Sequence, residues 1–329
     1  MGLVVTLRQL LTSSFLCAAL FGCAAPGAVA EDNSRYLGDR MPYAEFDRLP
    51  ATRLKVPGGE LLVAFAPGVL DLPRERVLGW VESSAQAVAT YYGRFPAATT
   101  RLLIVPRAGK GVSSGKAWAY RGAALRITVG EHATEVQLGR DWILVHEMVH
   151  LAFPSVVDRH NWLHEGLASY IEAIARAQAG QLAPEQVWAD LIAGLPKGLP
   201  QPGDRGLDHT PTWGRTYWGG ALYCLLADLD IRRRTNNRYG LQHAVRAILA
   251  SGNMETDSAL EPLLALGDKA VGVPVLSELY ETMKDQPAPV DLDGLWQRLG
   301  VRAAGGGVAF DESAPEAALR RAITARPKN

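Results

Sequence analysis

Short apolar runs and longer amphipathic stretches alternate along the first half of the chain. The apolar runs are bounded by proline or glycine and predict strands, at residues 60–65, 101–106 and 123–129. The amphipathic stretches predict helices, at residues 73–92 and 136–153. Between the second and third strands, the glycine-containing segment 109–115 predicts a flexible loop.

The second half of the chain has a mainly helical pattern. Apolar periodicity predicts further helices, at residues 165–178, 217–234, 241–251, 276–284 and 292–299. Segment 194–213 is rich in glycine and proline and predicts a long loop. A β-α-β-β-α order followed by helices predicts an α+β fold, in which a small mixed sheet lies over the helix at 136–153 and a C-terminal helical lobe closes a cleft.

The two ends of the chain differ in composition from the region between them. Residues 31–58 are polar and punctuated by proline, which predicts a linker or irregular lead-in. Residues 301–329 are rich in alanine and glycine and then charged, which predicts a low-complexity tail with little to pack. The folded domain is therefore expected at residues 59–300.

Residues 1–30 have the pattern of an export signal. An apolar stretch at 10–23 is too short to span a bilayer comfortably, and Ala28-Val29-Ala30 has the small-x-small form of a cleavage site. A second possibility is the segment Leu20-Phe21-Gly22-Cys23, which resembles a bacterial lipobox and would attach a lipid anchor to Cys23. Both alternatives predict export to the periplasm or cell envelope.

Composition restricts the classes of partner and of reactive group. Lys plus Arg equals Asp plus Glu at 34 each, so no overall field attracts the chain to nucleic acid. Only Cys224 lies beyond the signal segment, within an apolar helical pattern, and it is expected to be a buried structural cysteine. A peptide or protein substrate remains the expected partner.

The strongest chemical pattern is the segment His146-Glu147-Met148-Val149-His150. Positions i and i+4 of a helix lie about 40° apart, so both imidazoles can reach one metal ion. Glu147 is rotated about 100° from His146, which places its carboxylate beside the metal. Because the flanking residues 142–145 and 151–153 are apolar, the helix is expected to be buried and its polar side chains to need partners. Two solvated histidines on a charged helix face would fit these flanks poorly.

A catalytic zinc ion needs three protein ligands and one open position. The segment above supplies two ligands, and Glu165 in the helix that follows is the natural third. We therefore expect one zinc ion per chain, held by His146, His150 and Glu165. Glu147 is the expected general base for the attack of water on an amide.

These segments resemble those of the gluzincins, the thermolysin-like zinc peptidases. Residues 162–172, Trp-Leu-His-Glu-Gly-Leu-Ala-Ser-Tyr-Ile-Glu, are similar to the W-L-x-E-G-x-A-S-Y-x-E segment of the M1 aminopeptidases and the M61 glycyl-aminopeptidase-like family. Residues 216–235 resemble the M61 pattern Y-x-x-G-A-L…D-x-x-I-R-x-x-T. The resemblance implies a zincin-like catalytic domain whose second helix supplies a glutamate ligand.

The resemblance implies further roles around the site. Tyr217 stands where the related families carry a transition-state tyrosine, although from sequence it could equally be a core aromatic residue. An edge strand that pairs with the substrate is implied, and residues 118–129 are the candidate. No G-A-M-E-N-like segment, which grips a free amino terminus in M1 enzymes, is found upstream. Endopeptidase and aminopeptidase specificity both remain open.

Other polar residues near the motifs are assigned supporting roles. Ser169 and Asp141 are candidates to orient the imidazoles. Glu172 lies about 10 Å from Glu165 along the helix axis, so it is expected to pair with a cation rather than bind the metal. Three further histidines are expected not to be zinc ligands: His160, His164 and His209.

Together these patterns predict an exported zinc metallopeptidase. A non-catalytic envelope protein that keeps the same fold as a binding or scaffold module is one alternative, but such a protein would be expected to lose Glu147 or a ligand. A zinc hydrolase acting on a non-peptide amide, such as a cell-wall amide, is a second alternative, because the same attack by water serves any amide.

Overall fold

The computed structural model describes residues 33–327. The predicted export signal at residues 1–30, with Cys23, lies outside the described residues. Within residues 33–327, none of the helices combines the length and the apolar character needed to cross a membrane.

A mixed five-stranded sheet forms the first layer of the fold. Its strands are β1 (Ala51–Val56), β2 (Gly59–Phe65), β3 (Thr99–Arg107), β4 (Val112–Trp118) and β5 (Ala124–Gly130). The spatial order is β1-β2-β3-β5-β4, with β2, β3 and β5 parallel and the two outer strands antiparallel to their neighbours. Two further strands, β6 (Val301–Ala304) and β7 (Gly307–Phe310), form a small hairpin that is separate from this sheet.

Helices form the second layer and the C-terminal lobe. They are α1 (Tyr43–Phe46), α2 (Arg74–Tyr92), α3 (Glu135–Arg140), α4 (Ile143–His150), α5 (Asn161–Gln178), α6 (Pro184–Gly194), α7 (Gly220–Arg234), α8 (Leu241–Ser251), α9 (Leu260–Val271), α10 (Val275–Met283), α11 (Leu292–Leu299) and α12 (Ala317–Thr324). A π-helix at Gly214–Gly219 leads directly into α7. The sequence pattern missed α6 and α9.

The predicted linker at residues 31–58 is instead part of the fold wherever the structure describes it. β1 pairs along its whole length with β2. Tyr36, Met41 and Phe46 are buried against the face of the sheet that the main helices leave uncovered. The buried Arg126 donates to the backbone carbonyls of this segment. This segment covers the sheet face with only a few, widely spaced apolar residues. Its sequence therefore has no apolar periodicity, and the pattern predicted a linker.

The predicted low-complexity tail at residues 301–329 also folds. Its hairpin is followed by α12, where Ile323 is buried. Gln178 of α5 donates to the carbonyl of Ile323 at 2.9 Å, and the buried Arg320 donates to the carbonyl of Leu299 at 2.9 Å. Residues 302–307, which carry the low-complexity composition, form the exposed turn of the hairpin, while Val301, Arg320 and Ile323 provide the buried contacts of the segment.

The edge strand is not the one expected from sequence. β5, in the candidate segment 118–129, is buried along its whole length between β3 and β4. The outer strand is β4, most of which falls in the segment predicted as a flexible loop. β4 contains few apolar residues because it lies at an edge of the sheet, where only part of one face of the strand is buried.

The predicted helix at 136–153 is divided into α3 and α4. The break occurs at Asp141, whose carboxylate accepts hydrogen bonds from the backbone N–H groups of Ile143 and Leu144 at 3.1 and 3.0 Å. These are donors that the first turn of a helix leaves without partners. Asp141 therefore starts the helix that carries the histidine motif.

Two glycines allow α5 to lie directly against the start of α7. A Cβ built on Gly166 would come within 2.7 Å of the carbonyl oxygen of Gly220. A Cβ on Gly220 would come within 2.8 Å of the Cα of Gly166. Since carbon atoms in contact prefer separations of about 3.5–4.0 Å, neither position can carry a side chain without moving one of the helices.

Two ion pairs are enclosed within the helical layer. In α7, Asp228 accepts hydrogen bonds from Arg232 at 2.7 Å and from Tyr170 of α5 at 3.0 Å. In α5, Glu172 and Arg176 are paired at 3.6 Å, as expected for Glu172. Burial raises the pKa of Glu172 to about 8, in spite of the opposing effect of Arg176.

Replacing Gly166 with alanine is expected to destabilise the protein by about 1–3 kcal/mol, because the methyl group forces α5 and α7 apart. Gly79 in α2 is a matched control, since a Cβ there meets nothing within 4 Å. Gly79→Ala should instead stabilise the protein by about 0.5–1 kcal/mol. Denaturant unfolding measures both changes; equal effects of the two variants would contradict the close packing.

Glu172→Gln is expected to change how stability depends on pH. The folded-state pKa of Glu172 lies above its ordinary value of 4.5, so between about pH 4.5 and 8 the folded state retains a proton that the unfolded state has lost. The contribution of Glu172 to stability therefore falls as pH rises through this window, and glutamine removes the effect. The melting temperatures of metal-free wild type and metal-free Glu172→Gln should diverge as pH rises through this window. Glu82→Gln, on the exposed face of α2, is the control, and its melting temperature should follow that of the wild type at every pH. The same parallel behaviour in Glu172→Gln would refute the raised pKa of Glu172.

Candidate metal centre

Three potential metal ligands converge where α4 meets α5. His146 and His150 project from adjacent turns of α4, and Glu165 projects from the second turn of α5. The ligand atoms of the three side chains lie within 4.8 Å of one another. The Oε2 atom of Glu165 is 3.2 Å from Nε2 of His146 and 3.6 Å from Nε2 of His150. These are the three residues that the sequence assigned to zinc, and the fold brings them together.

The separations fit a shared zinc ion. Tetrahedral coordination with bonds of about 2.0–2.1 Å places ligand atoms roughly 3.3 Å apart. Both carboxylate-to-imidazole distances lie close to this value. The donor set of two imidazoles and one carboxylate also matches the ligand type of catalytic zinc sites, which keep a fourth position for water or substrate.

The protonation state of His150 suits metal binding. Burial, together with the neighbouring His146 and His164, lowers the pKa of His150 well below its usual range. Neutral imidazole is the form that binds a metal. His150 therefore needs to lose no proton near neutral pH before it can act as a ligand.

Glu147 lies beside the ligand cluster and not within it. Its neighbour on the sheet side is Gly115 of the edge strand β4, where a Cβ would come within 2.8 Å of Ile143 and 2.9 Å of the Glu147 carboxyl carbon. Burial first, and then the negative charge of Glu165, raise the pKa of Glu147 to about 8, while Lys116 acts in the opposite direction. A carboxyl group with a pKa in this range can both accept and release a proton near neutral pH.

Tyr217 reaches the centre from the π-helix. Its ring stacks against that of His146 at a centroid separation of 6.3 Å. Burial first, and then the carboxylates of Glu165 and Glu147, raise the pKa of Tyr217 to about 12. The phenol therefore stays protonated and can donate a hydrogen bond. Local widening of a helix into a π-turn is frequent at functional sites, and here it carries the side chain that faces the ligands.

The residues expected to orient the imidazoles do not do so. Asp141 is occupied by the N-terminus of α4, and Ser169 makes no hydrogen bond to either ligand histidine among residues 33–327. The buried Nδ1 atom of His146 has no hydrogen-bond partner among the described residues. Its ring is held instead by Trp142, which packs edge-on at 5.5 Å. Packing takes the place of the usual hydrogen bond in positioning this ligand.

The three other histidines near the motifs have separate environments. His160 is buried and bonded through Nδ1 to Asp208 at 3.1 Å, within the helical lobe. His209 pairs with Asp285 at the surface. His164 lies 6.3 Å from His150 between ring centroids and lines the cleft, and burial lowers its pKa. None of the three belongs to the ligand cluster.

The centre lies between two cavities. The smaller, of about 450 Å³, is bounded by β4 on one side and by Glu147 and His164 on the other. The larger, of about 1050 Å³, extends from the centre between α5, α6 and the π-helix. Sequence reasoning missed the tryptophans of the larger cavity, Trp142, Trp213 and Trp218. Their positions in the sequence could have indicated the cavity, since these three of the eight tryptophans lie next to the predicted site segments.

Comparison with known proteins identifies the fold. The aminopeptidase N family protein of Idiomarina loihiensis superimposes with a TM-score of 0.59 at 12% identity, over 77% of this chain and 49% of that chain. An M1 zinc metallopeptidase of Deinococcus radiodurans gives a TM-score of 0.47 at 17% identity over 73% of this chain and 53% of that chain, a similarity too low to support a conclusion. No family model matches the sequence, and no curated protein matches it.

The chain thus spans about half the length of the aminopeptidase N family protein that it resembles. At this level of identity the similarity establishes the fold and leaves the activity to be argued from the site. The prediction of an α+β, zincin-like domain with a helical lobe is confirmed: the chain has a zincin-like metallopeptidase fold.

Proposed function

We propose that this protein is a zinc-dependent metallopeptidase. The observation that supports the proposal most directly is the ligand cluster itself: the ligand atoms of His146, His150 and Glu165 converge within 4.8 Å, with a partly buried carboxyl group, Glu147, beside them. Two imidazoles and one carboxylate at these separations offer three ligand atoms to a single cation. Zinc, when bound there, would supply a Lewis acid that polarises the carbonyl of the bond to be cleaved.

Glu147 is assigned the proton transfers. It accepts a proton from the water that attacks the carbonyl carbon, and it gives a proton to the nitrogen that leaves. Its raised pKa suits both steps, because a carboxyl group of ordinary pKa would be a weaker base. Gly115 keeps β4 close to Glu147 and limits the access of bulk water to that side of the carboxyl.

Tyr217 is assigned to the oxygen of the cleaved carbonyl. Negative charge develops on this oxygen as water attacks, and a preorganised donor lowers the energy of that state. The protonated phenol at the ligand cluster can supply such a hydrogen bond. β4 is assigned to the substrate backbone, since it pairs with β5 on only one side in the described sheet and can accept a further strand.

Export completes the proposal. Residues 1–30 carry the apolar run and cleavage pattern of a secretory signal, and Cys23 carries the alternative of a lipid anchor. We propose that the enzyme acts in the periplasm or cell envelope, on peptides or proteins, with one zinc ion per chain.

Glu147→Gln is expected to retain zinc and to lose at least about 100-fold in kcat, because the proton transfers are removed while the ligands remain. Glu165→Ala should lose zinc or bind it more weakly. Metal analysis and hydrolysis of a randomised peptide mixture test both variants beside the wild type. Full hydrolysis by the Glu147 variant would exclude the mechanism, and a wild-type protein without zinc after metal has been supplied would exclude the function.

Gly115→Ala is expected to lower kcat by about tenfold or more, because a displacement of about 1 Å at a reacting group is costly. The methyl group would push Glu147 away from its position, without touching a metal ligand. Zinc content should therefore stay unchanged, which separates this variant from Glu165→Ala. Gly111→Ala is the matched control, because Gly111 lies just before β4 and a Cβ there would meet no atom closer than 3.9 Å. The positive φ of Gly111 adds some backbone strain to this variant. Unchanged kcat in Gly115→Ala would show that β4 does not position the base.

A further inference from the structure

The two cavities share lining residues only beside the candidate metal centre. Among the described residues, His146 and Tyr217 are the two that line both cavities. One cavity therefore lies on each side of the position where a scissile bond would be held. A polypeptide can extend away from that position in two directions.

An enzyme that removes terminal residues needs a charged group close to the scissile bond. The α-amino nitrogen of an amino acid lies about 2.5 Å from its own carbonyl carbon. With a hydrogen bond of about 2.8 Å added, a carboxylate that holds a free amino terminus must lie within roughly 5–6 Å of the carbon that is attacked.

The described carboxylates that line the cavities are already assigned to the reaction, too far from the scissile bond to hold a free amino terminus, or exposed and paired with another side chain. In the smaller cavity the carboxylates are Glu147 and Glu165, both already assigned to the reaction. In the larger cavity, Glu172 lies two turns along α5 from Glu165, about 10 Å along the helix axis. Asp190 is exposed on α6 and accepts a hydrogen bond from Gln186 at 2.8 Å.

The cations offer no dedicated site for a carboxyl terminus either. Lys116 lines the smaller cavity but is paired with Asp39 at 3.0 Å. In the larger cavity, Arg176 is occupied by Glu172 and by the carbonyl of Gly139. The remaining two, Arg140 and Lys197, are exposed to solvent, where pairing with a carboxylate contributes little.

The larger cavity presents aromatic surface to an extended chain. Trp142 and Trp213 are 50% and 61% exposed, although both belong to its lining. Trp213 stacks on Tyr217 at 5.9 Å between ring centroids, so this surface continues directly from the centre. A volume of about 1050 Å³ exceeds that of any one amino-acid side chain, so the cavity can hold several residues of a substrate.

We infer that this site cleaves internal peptide bonds: a polypeptide runs along β4 through the smaller cavity, crosses the metal ligands, and continues into the larger cavity, where a bulky side chain packs against Trp142 and Trp213. The inference rests on the proposed peptidase function and names its substrate class, which is unstructured polypeptide rather than terminal residues.

The test compares randomised peptides with both ends blocked, by acetylation and amidation, and the same peptides with one end free. The zinc-loaded full chain should cleave the doubly blocked peptides internally, with kcat/KM within about threefold of the free-ended ones. Mass spectrometry should find bulky residues enriched on one side of the cleaved bonds. Hydrolysis that requires a free amino or carboxyl end would overturn this inference and leave the peptidase function standing. If no peptide is hydrolysed, both are overturned.

Trp213→Ala tests the path through the larger cavity. Loss of the aromatic surface should raise KM for the blocked peptides by about three- to tenfold with kcat nearly unchanged. Val69→Ala is the matched control, because Val69 is 70% exposed and lines neither cavity. Equal KM values for the two variants would show that the substrate does not follow this cavity.

Discussion

The close crossing of α5 and the start of α7 is the constraint on which the site depends. Gly166 and Gly220 bring two helical backbones into direct contact, with no side chain between them. Gly166 follows Glu165 directly, and Gly220 follows the π-helix that carries Tyr217. A single contact between backbones therefore sets the positions of Glu165 and Tyr217 relative to each other. Any side chain at this point would separate the two groups whose chemistry must act together.

Burial of charge gives the site its reactivity. Glu147 is surrounded by α4, β4 and the ligand cluster, so its charged form is poorly solvated and its pKa rises. The same low-dielectric surroundings keep Tyr217 protonated and His150 neutral. Each of these states is the one required for its assigned role. The exclusion of water around α4 is the largest cause of all three pKa shifts, and the neighbouring ionisable groups add to it.

The edge strand β4 connects the fold to the substrate. It packs against α4 through Gly115, and its outer side faces the smaller cavity. The N-terminal segment supports it from the sheet face opposite the main helices, where Trp118 donates to the carbonyl of Asp39 at 3.3 Å. Residues that had the composition of a linker thus hold the strand that borders Glu147. This explains why the domain begins before the first strongly apolar strand.

The sequence by itself determined two of the three candidate ligands, His146 and His150, because positions four apart on one helix point in nearly the same direction. It also determined the class of fold, since periodicity reports which face of each element is buried. The tertiary structure alone decided that β4 is the edge strand, that residues 33–56 and 301–327 are packed, and that two cavities meet at the centre. These features depend on contacts between residues far apart in the chain, and local patterns carry no information about such contacts.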